Sequence, residues 1–144
     1  MKVAIITDQH FGMRKGSQIF HDYMKKFYDE VFFPFLDKNK ITTVLDLGDT
    51  FDNRKSIDFW SLDWAKKNYY DNLAQRGIKV YTVVGNHTAY YKNTLGINAI
   101  NLLLQEYDNV QLIERPETIN VGGLDICFVP WICVDNETET YQEI

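Results

Sequence analysis

Six side chains able to hold a cation or move a proton fall in three short clusters: Asp8 with His10, Asp49 with Asp52, and Asn86 with His87. Each cluster follows a run of apolar or β-branched residues that reads as a strand. Carboxylate oxygens, imidazole nitrogens and amide carbonyls suit borderline or hard divalent ions such as manganese, iron or zinc. No cysteine lies in the set, which argues against a thiolate-bound structural zinc. Two carboxylates brought together without a cation would push each other's pKa upward, and a bound metal removes that conflict.

Each cluster alone also has a plain structural reading. Asp8 could cap the segment that follows while His10 packs locally, and Gly48-Asp49 and Gly85-Asn86-His87 are both common turn chemistry. Their joint occurrence points elsewhere. In an open parallel sheet, ligands bind beyond the carboxyl ends of the strands, so three successive strand ends should converge on one site. Two of the three histidines lie in those ends. The third, His21, falls beside Phe20 and Tyr23 on an expected helix, where a surface or half-packed role is expected rather than metal ligation.

The elements that must position these clusters follow from periodicity. Val3-Ala4-Ile5-Ile6 is short and β-branched, as a buried strand should be. A polar loop runs to Ser17, a candidate N-cap. Phe20, Tyr23, Met24, Phe27, Val31 and Phe35 then recur at helical spacing, with Pro34 expected to kink or restart the helix. A second strand spans 43–47 and ends at Gly48. A second helix is expected over 57–76, stopped by Gly77 in a left-handed conformation. Residues 78–84 form the third strand, and a third helix is expected over 97–107. Short strands follow at 110–113, 117–120 and 124–129, the last two joined by a turn at Asn120-Val121-Gly122-Gly123. The pattern predicts an α/β fold: a parallel βαβαβα core followed by antiparallel strands. The tail from Val134 onward is polar and acidic, and is expected to fray or to lead into further chain.

Composition narrows the class. With 144 residues, 45% hydrophobic, the chain has the makings of one globular domain with its own core. Its nine Phe, nine Tyr and three Trp should mostly be buried. The formal net charge of -5 means the whole molecule does not attract polyanions, so contact with nucleic acid would need local basic patches or bound cations. No run of 18 apolar residues is present, so no membrane span is expected, and the first ten residues are too little apolar for a secretion signal. Cys127 and Cys133 are too few and too poorly spaced for a disulfide scaffold. They are expected as reduced, structural thiols in a cytoplasmic protein.

The three clusters, in order and spacing, resemble the calcineurin-like metallophosphoesterases, whose signature is D-x-H, then G-D-x-x-D, then G-N-H. Here these are Asp8/His10, Gly48-Asp49-Thr50-Phe51-Asp52 and Gly85-Asn86-His87. The flanking residues, Phe11-Gly12, Asn53-Arg54 and Val129-Pro130-Trp131, are similar to the SbcD-type DNA repair nucleases, in particular the nuclease subunits of T-even-like phage recombination endonucleases. The resemblance implies two divalent metal ions, with manganese expected. Asp8 and His10 would hold the first, Asp49 would bridge the two, and Asn86 would bind the second. His87 would stabilise the transition state or protonate the leaving oxygen, and Asp52 would orient its loop.

There are two departures from the family pattern. No histidine follows His87, although the family completes its second metal site with a later His and a Gly-His-x-His segment. Thr88 also stands where an acidic residue is common. The resemblance therefore covers residues 1–134 as the N-terminal part of a catalytic domain, with 135–144 expected as a truncated continuation: a fragment, a split gene product or a protein that has lost its second half.

The implied activity is metal-dependent DNA phosphodiester cleavage, as the exonuclease or endonuclease subunit of a recombination and repair complex. The implied partners are DNA, an SMC-type ATPase subunit and a second copy in a homodimer, in the host cytoplasm if the gene belongs to a phage. Arg14, Lys15, Arg54, Lys55 and Lys92 lie in the motif loops and are candidate phosphate contacts. Tyr90 and Tyr91 are candidate stacking platforms for unpaired bases. The competing readings are a non-catalytic DNA- or partner-binding remnant and a phosphomonoesterase of the same family.

Overall fold

The computed structural model describes residues 1–144. Strands β1 (Ala4–Ile6), β2 (Thr43–Asp46), β3 (Lys79–Val83) and β4 (Val110–Ile113) form one sheet in the order β1-β2-β3-β4. Every pairing in it is parallel, with Ala4 opposite Val44, Val44 opposite Val80, and Val80 opposite Val110. β4 is therefore a fourth strand of the parallel sheet. The expected antiparallel element is the hairpin of β5 (Glu117–Val121) and β6 (Leu124–Phe128), which forms its own two-stranded sheet.

Side-chain alternation along the strands makes three layers. Val44 and Val80 point to a core shared with the helices. Leu45, Tyr81 and Val83 point the other way, onto Val121 and Phe128 of the hairpin. Asp46 alternates with Leu45, so it lies on the helix side at the end of β2.

The helix layer is built from two long segments, each interrupted by one π-helical turn. α1 (Gln18–Phe27) passes through a π turn at Tyr28–Phe32 into α2 (Phe33–Asn39). α3 (Phe59–Ala65) passes through a π turn at Lys66–Tyr70 into α4 (Asp71–Gln75). The two π turns meet: the Tyr28 and Tyr69 rings lie 5.3 Å apart. Around them Phe11, Phe32, Phe33, Trp64 and Tyr70 complete a mostly aromatic core. Pro34 sits in the first turn of α2, directly after the π turn, where the α-helix restarts as expected.

Other expectations shift for local reasons. α3 starts at Phe59 because the Asp58 side chain accepts the Ser61 N–H at 2.9 Å. Ser17 precedes α1 without a side-chain cap; its carbonyl instead accepts from His21 Nδ1 at 2.8 Å. The expected helix at 97–107 shortens to α5 (Ala99–Leu103), capped by Asn98. Gly77 takes the left-handed conformation (φ 63°) foreseen for it.

The acidic tail is not frayed. It folds into α6 (Glu137–Glu143), tied down by Asn136, whose side chain accepts the Cys133 N–H at 2.8 Å, and by buried Thr140. Cys127 and Cys133 are free thiols, exposed and buried respectively. No helix is long and apolar enough to cross a membrane. Several large apolar residues of the first helical segment lie outside the core: Ile19, Tyr23, Phe27, Val31 and Phe35 form an exposed stripe at four-residue spacing.

Candidate metal centre

The loops after β1, β2 and β3 meet at one rim of the sheet. Loops one and two continue the strand pairing as a backbone zipper. Asp8 N–H donates to Gly48 O at 3.0 Å, His10 N–H to Asp49 O at 3.0 Å, and Phe11 N–H to Thr50 O at 2.8 Å. Asp52 N–H returns to Phe11 O at 3.0 Å, and a parallel bridge joins Phe11 to Phe51. Both phenylalanines are buried, so the far end of the zipper is anchored in the aromatic core.

Asp8, His10 and Asp49 all have left-handed backbones, with φ of 53°, 50° and 51°. Such conformations are uncommon for residues other than glycine, cost about 1–3 kcal/mol each, and persist where surrounding contacts over-determine them. The zipper supplies those contacts.

Loop three approaches through glycine. A Cβ on Gly85 would collide with the Asp49 carboxylate and backbone nitrogen. Without one, His87 N–H reaches Asp49 Oδ1 at 2.9 Å. Thr88 is fully buried, and its hydroxyl accepts the Gly85 N–H and bonds the Gly85 carbonyl, both at 3.0 Å. The residue at this position therefore closes the turn from below.

Two triads could each hold a cation: Asp8, His10 and Asp49, or His10, Asp52 and His87, with donor atoms within 4.8 Å of one another in each. Hydrogen bonding separates them. His10 Nδ1 lies 3.0 Å from Asp52 Oδ1, and His87 Nδ1 lies 2.6 Å from the Asp52 carbonyl oxygen. Carboxylate and carbonyl oxygens can only accept, so each Nδ1 carries the hydrogen and each Nε2 keeps a lone pair. His10 Nε2 then faces Asp8 Oδ1 at 3.7 Å. Asp8 Oδ2 is bonded by the Thr7 hydroxyl at 2.6 Å, which leaves Oδ1 open. Asp49 has one oxygen on the His87 amide and the other open. The first triad thus offers Asp8 Oδ1, His10 Nε2 and one Asp49 oxygen unclaimed, while in the second His10 Nδ1, Asp52 Oδ1 and His87 Nδ1 are engaged in hydrogen bonds. Asp52 orients two imidazoles, one through its side chain and one through its backbone, the outer-sphere arrangement that fixes histidine ligands elsewhere.

Asn86 lines the same cleft as Asp8 and Asp49, together with Pro130 and Trp131. The His10 and His87 rings lie edge to face with centroids 4.9 Å apart. The donor set is therefore one that suits a hard or borderline divalent cation.

His21 stands apart and is fully buried rather than superficial. Its Nε2 accepts the Gly12 N–H at 3.2 Å, so it buttresses the end of loop one.

The basic and aromatic candidates spread around the rim. Arg54 stacks over Trp131 (4.9 Å to the ring centroid) and donates to Ala89 O at 3.3 Å. Lys55 Nζ lies 5.5 Å from the Tyr90 centroid, and Tyr90 and Tyr91 are exposed and edge to face. Arg14 packs over Phe20, and Lys15 lines a cleft with Asp52 and Asp58; Arg14 and Lys15 both have left-handed backbones. Lys92 is exposed. Two residues that the sequence did not mark belong to the site's frame: Gln9 and Asp46. Burial pushes the Asp46 carboxyl up to about 7, its hydrogen bonds from Gly48, Thr50 and Gln9 oppose this, and the charge of Asp8 adds to it.

Comparison with known proteins agrees with this geometry. The family model described as calcineurin-like phosphoesterase matches residues 1–140. Exonuclease subunit 1 of Enterobacteria phage T4 is 34% identical over 150 residues, covering 100% of this chain and 42% of that protein. A provisionally named phosphoesterase, 078R, of Invertebrate iridescent virus 3 is 25% identical over 134 residues, covering 92% of this chain and 36% of that protein. The chain spans less than half the length of either relative.

Two outcomes follow from the geometry. Gly85→Ala is expected to weaken manganese uptake, measured by isothermal titration, because the new Cβ displaces Asp49. Gly77→Ala, whose Cβ would meet nothing within 4 Å, is expected to lose only about 1–2 kcal/mol of stability. The second outcome concerns pH. Between the ordinary value of 3.8 and about 7, the folded chain keeps the Asp46 proton that the unfolded chain releases. The metal-free protein should therefore lose stability as pH rises through that window, and the loss should be absent from Asp46→Asn in parallel urea melts.

Proposed function

The chain belongs to the calcineurin-like phosphoesterase family, and from that premise we propose that it carries the metal-binding face of a metal-dependent phosphodiesterase that cleaves DNA. The observation that carries the proposal is the triad of open donors on Asp8, His10 and Asp49, set beside the free Nε2 of His87. Asp8 and His10 would hold one divalent ion, Asn86 would serve a second, and Asp49 would contribute to both. Manganese fits this oxygen-rich set with a single imidazole. When bound, the ions supply polarisation of the phosphoryl group and a nucleophilic water at neutral pH.

The protein's own groups do the rest. Asp52 holds His10 so that Nε2 faces the cation position, and its carbonyl holds the His87 ring by Nδ1–H. Once Nε2 has taken up a proton, the His87 imidazolium is directed to pass that proton to the leaving sugar oxygen or to stabilise charge on the phosphoryl oxygens. The Asp49 carboxylate on the His87 amide couples the position of the acid to that of the metal ligands.

A DNA substrate is supported by the relative named an exonuclease subunit and by the rim. Arg54 is the favoured phosphate contact. Its guanidinium is already ordered by Trp131 and Ala89, so less conformational freedom is lost on binding. Lys55, Tyr90 and Tyr91 are further candidates, and Lys92, Arg14 and Lys15 would add positive charge. A protein with net charge -5 needs such local positive groups, and its bound ions, to meet a polyanion. The word subunit in that relative's name supports assembly with a partner. An SMC-type ATPase and a second copy of the chain are the partners this reading carries, acting in the cytoplasm.

Wild type is expected to hydrolyse a model phosphodiester and DNA with added manganese. His87→Ala should lower kcat by about 10²–10⁴-fold with manganese affinity little changed. Binding of DNA without turnover would favour a non-catalytic module, and turnover of nucleotide monoesters alone would favour a phosphomonoesterase. Arg54→Ala is expected to flatten the salt dependence of DNA binding by about one unit of logarithmic slope; an unchanged slope removes Arg54 from the interface.

A further inference from the structure

We propose that Asp46 is the positioning residue of the metal centre, the one buried carboxyl that brackets all three donors of the Asp8–His10–Asp49 triad and holds them ready for the cation. The inference rests on the metal-binding reading above and adds to it a residue in none of the three motifs.

Asp46 is the last residue of β2 and is fully buried. None of the chain's ion pairs involves it. A buried acid without a counter-charge is costly and is retained only where its hydrogen bonds compensate. Asp46 has three such bonds. Oδ2 accepts from Gln9 Nε2 at 3.0 Å and from Thr50 Oγ1 at 3.2 Å, and Oδ1 accepts the Gly48 N–H at 3.2 Å.

The donors are placed tellingly along the chain. Gln9 stands between Asp8 and His10, and Gly48 and Thr50 stand on either side of Asp49. One carboxyl therefore grips the immediate neighbours of every member of the triad. A local turn closed by its own side chain would account for the Gly48 bond. It would not account for Gln9, which comes from 37 residues away on another loop.

The grip continues inward. Gln9 is itself buried, and its Oε1 accepts from the Tyr28 hydroxyl of the first π turn. The path runs from the helix layer through Tyr28, Gln9 and Asp46 to both ligand loops. It meets the rim where the backbone is left-handed at Asp8, His10 and Asp49. Loops free to relax from those angles would have to be ordered again by the cation, and affinity would fall by that amount.

The test is manganese titration of the full chain, followed by electron paramagnetic resonance, with melting temperature measured alongside. Asp46→Asn keeps the shape and one acceptor oxygen but sets an NH2 group against donors. It is expected to weaken manganese affinity by about 10- to 100-fold in protein that remains folded by near-ultraviolet circular dichroism. Gln9→Met and Thr50→Val each remove one donor and should give smaller losses in the same direction. Amide exchange at 8–11 and 48–52 should quicken in the metal-free variants. A lower melting temperature with unchanged affinity in all three would make Asp46 a stability residue only and overturn the proposal. If Asp46→Asn fails to fold, unchanged affinity in both Gln9→Met and Thr50→Val overturns it equally. Failure of wild type to take up manganese would instead remove the metal-binding reading on which the proposal stands.

Discussion

The centre depends on a backbone constraint. Asp8, His10 and Asp49, the three side chains proposed to hold one cation, come within reach of one another on left-handed backbone angles that residues of their kind seldom adopt. Nothing in those residues alone enforces such angles. The hydrogen-bonded zipper between the first two loops does, because it extends strand pairing past the ends of β1 and β2 and locks at Phe11 and Phe51 in the core. The strain is stored at the rim and offset by aromatic burial below it.

The rest of the architecture keeps that zipper rigid and lets the third loop join it. Parallel pairing puts all three carboxyl strand ends on the same side, which no antiparallel arrangement of these strands would do. Gly85 lets the third loop come within hydrogen-bond distance of Asp49, and buried Thr88 fixes that loop's height. Asp52 then orients His10 and His87 with two different oxygens, so the group proposed to bind metal and the group proposed to move a proton share one support. A shift in the second loop would therefore disturb ligand geometry and acid placement together.

The residues proposed to contact ligand stand out in the sequence because each is polar and follows a β-branched strand. Asp8, His10, Asp49, Asn86 and His87 come together as the strand-end argument requires. What supports them was not legible. Gln9 and Asp46 carry no mark in the sequence; their roles exist only once the two loops are adjacent. His21 reads as a surface residue because its partner, the Gly12 amide, belongs to another segment. The two π turns depend on Tyr28 and Tyr69 meeting across the helix layer, and no local pattern encodes that contact. The tail reads as frayed from its charge, yet the Asn136 side chain and the packing of Thr140 are enough to start a helix. Among the basic residues, charge alone could not distinguish Arg54, held by Trp131 and Ala89, from Lys92, which is simply exposed.

The most direct measurement is anomalous diffraction from a crystal of the chain soaked in manganese. The account predicts a manganese peak between Asp8 Oδ1, His10 Nε2 and the open oxygen of Asp49, with the Asp52 bonds to both imidazoles retained. A peak instead between His10, Asp52 and His87, or no peak at the rim at fully occupying manganese concentrations, would contradict it.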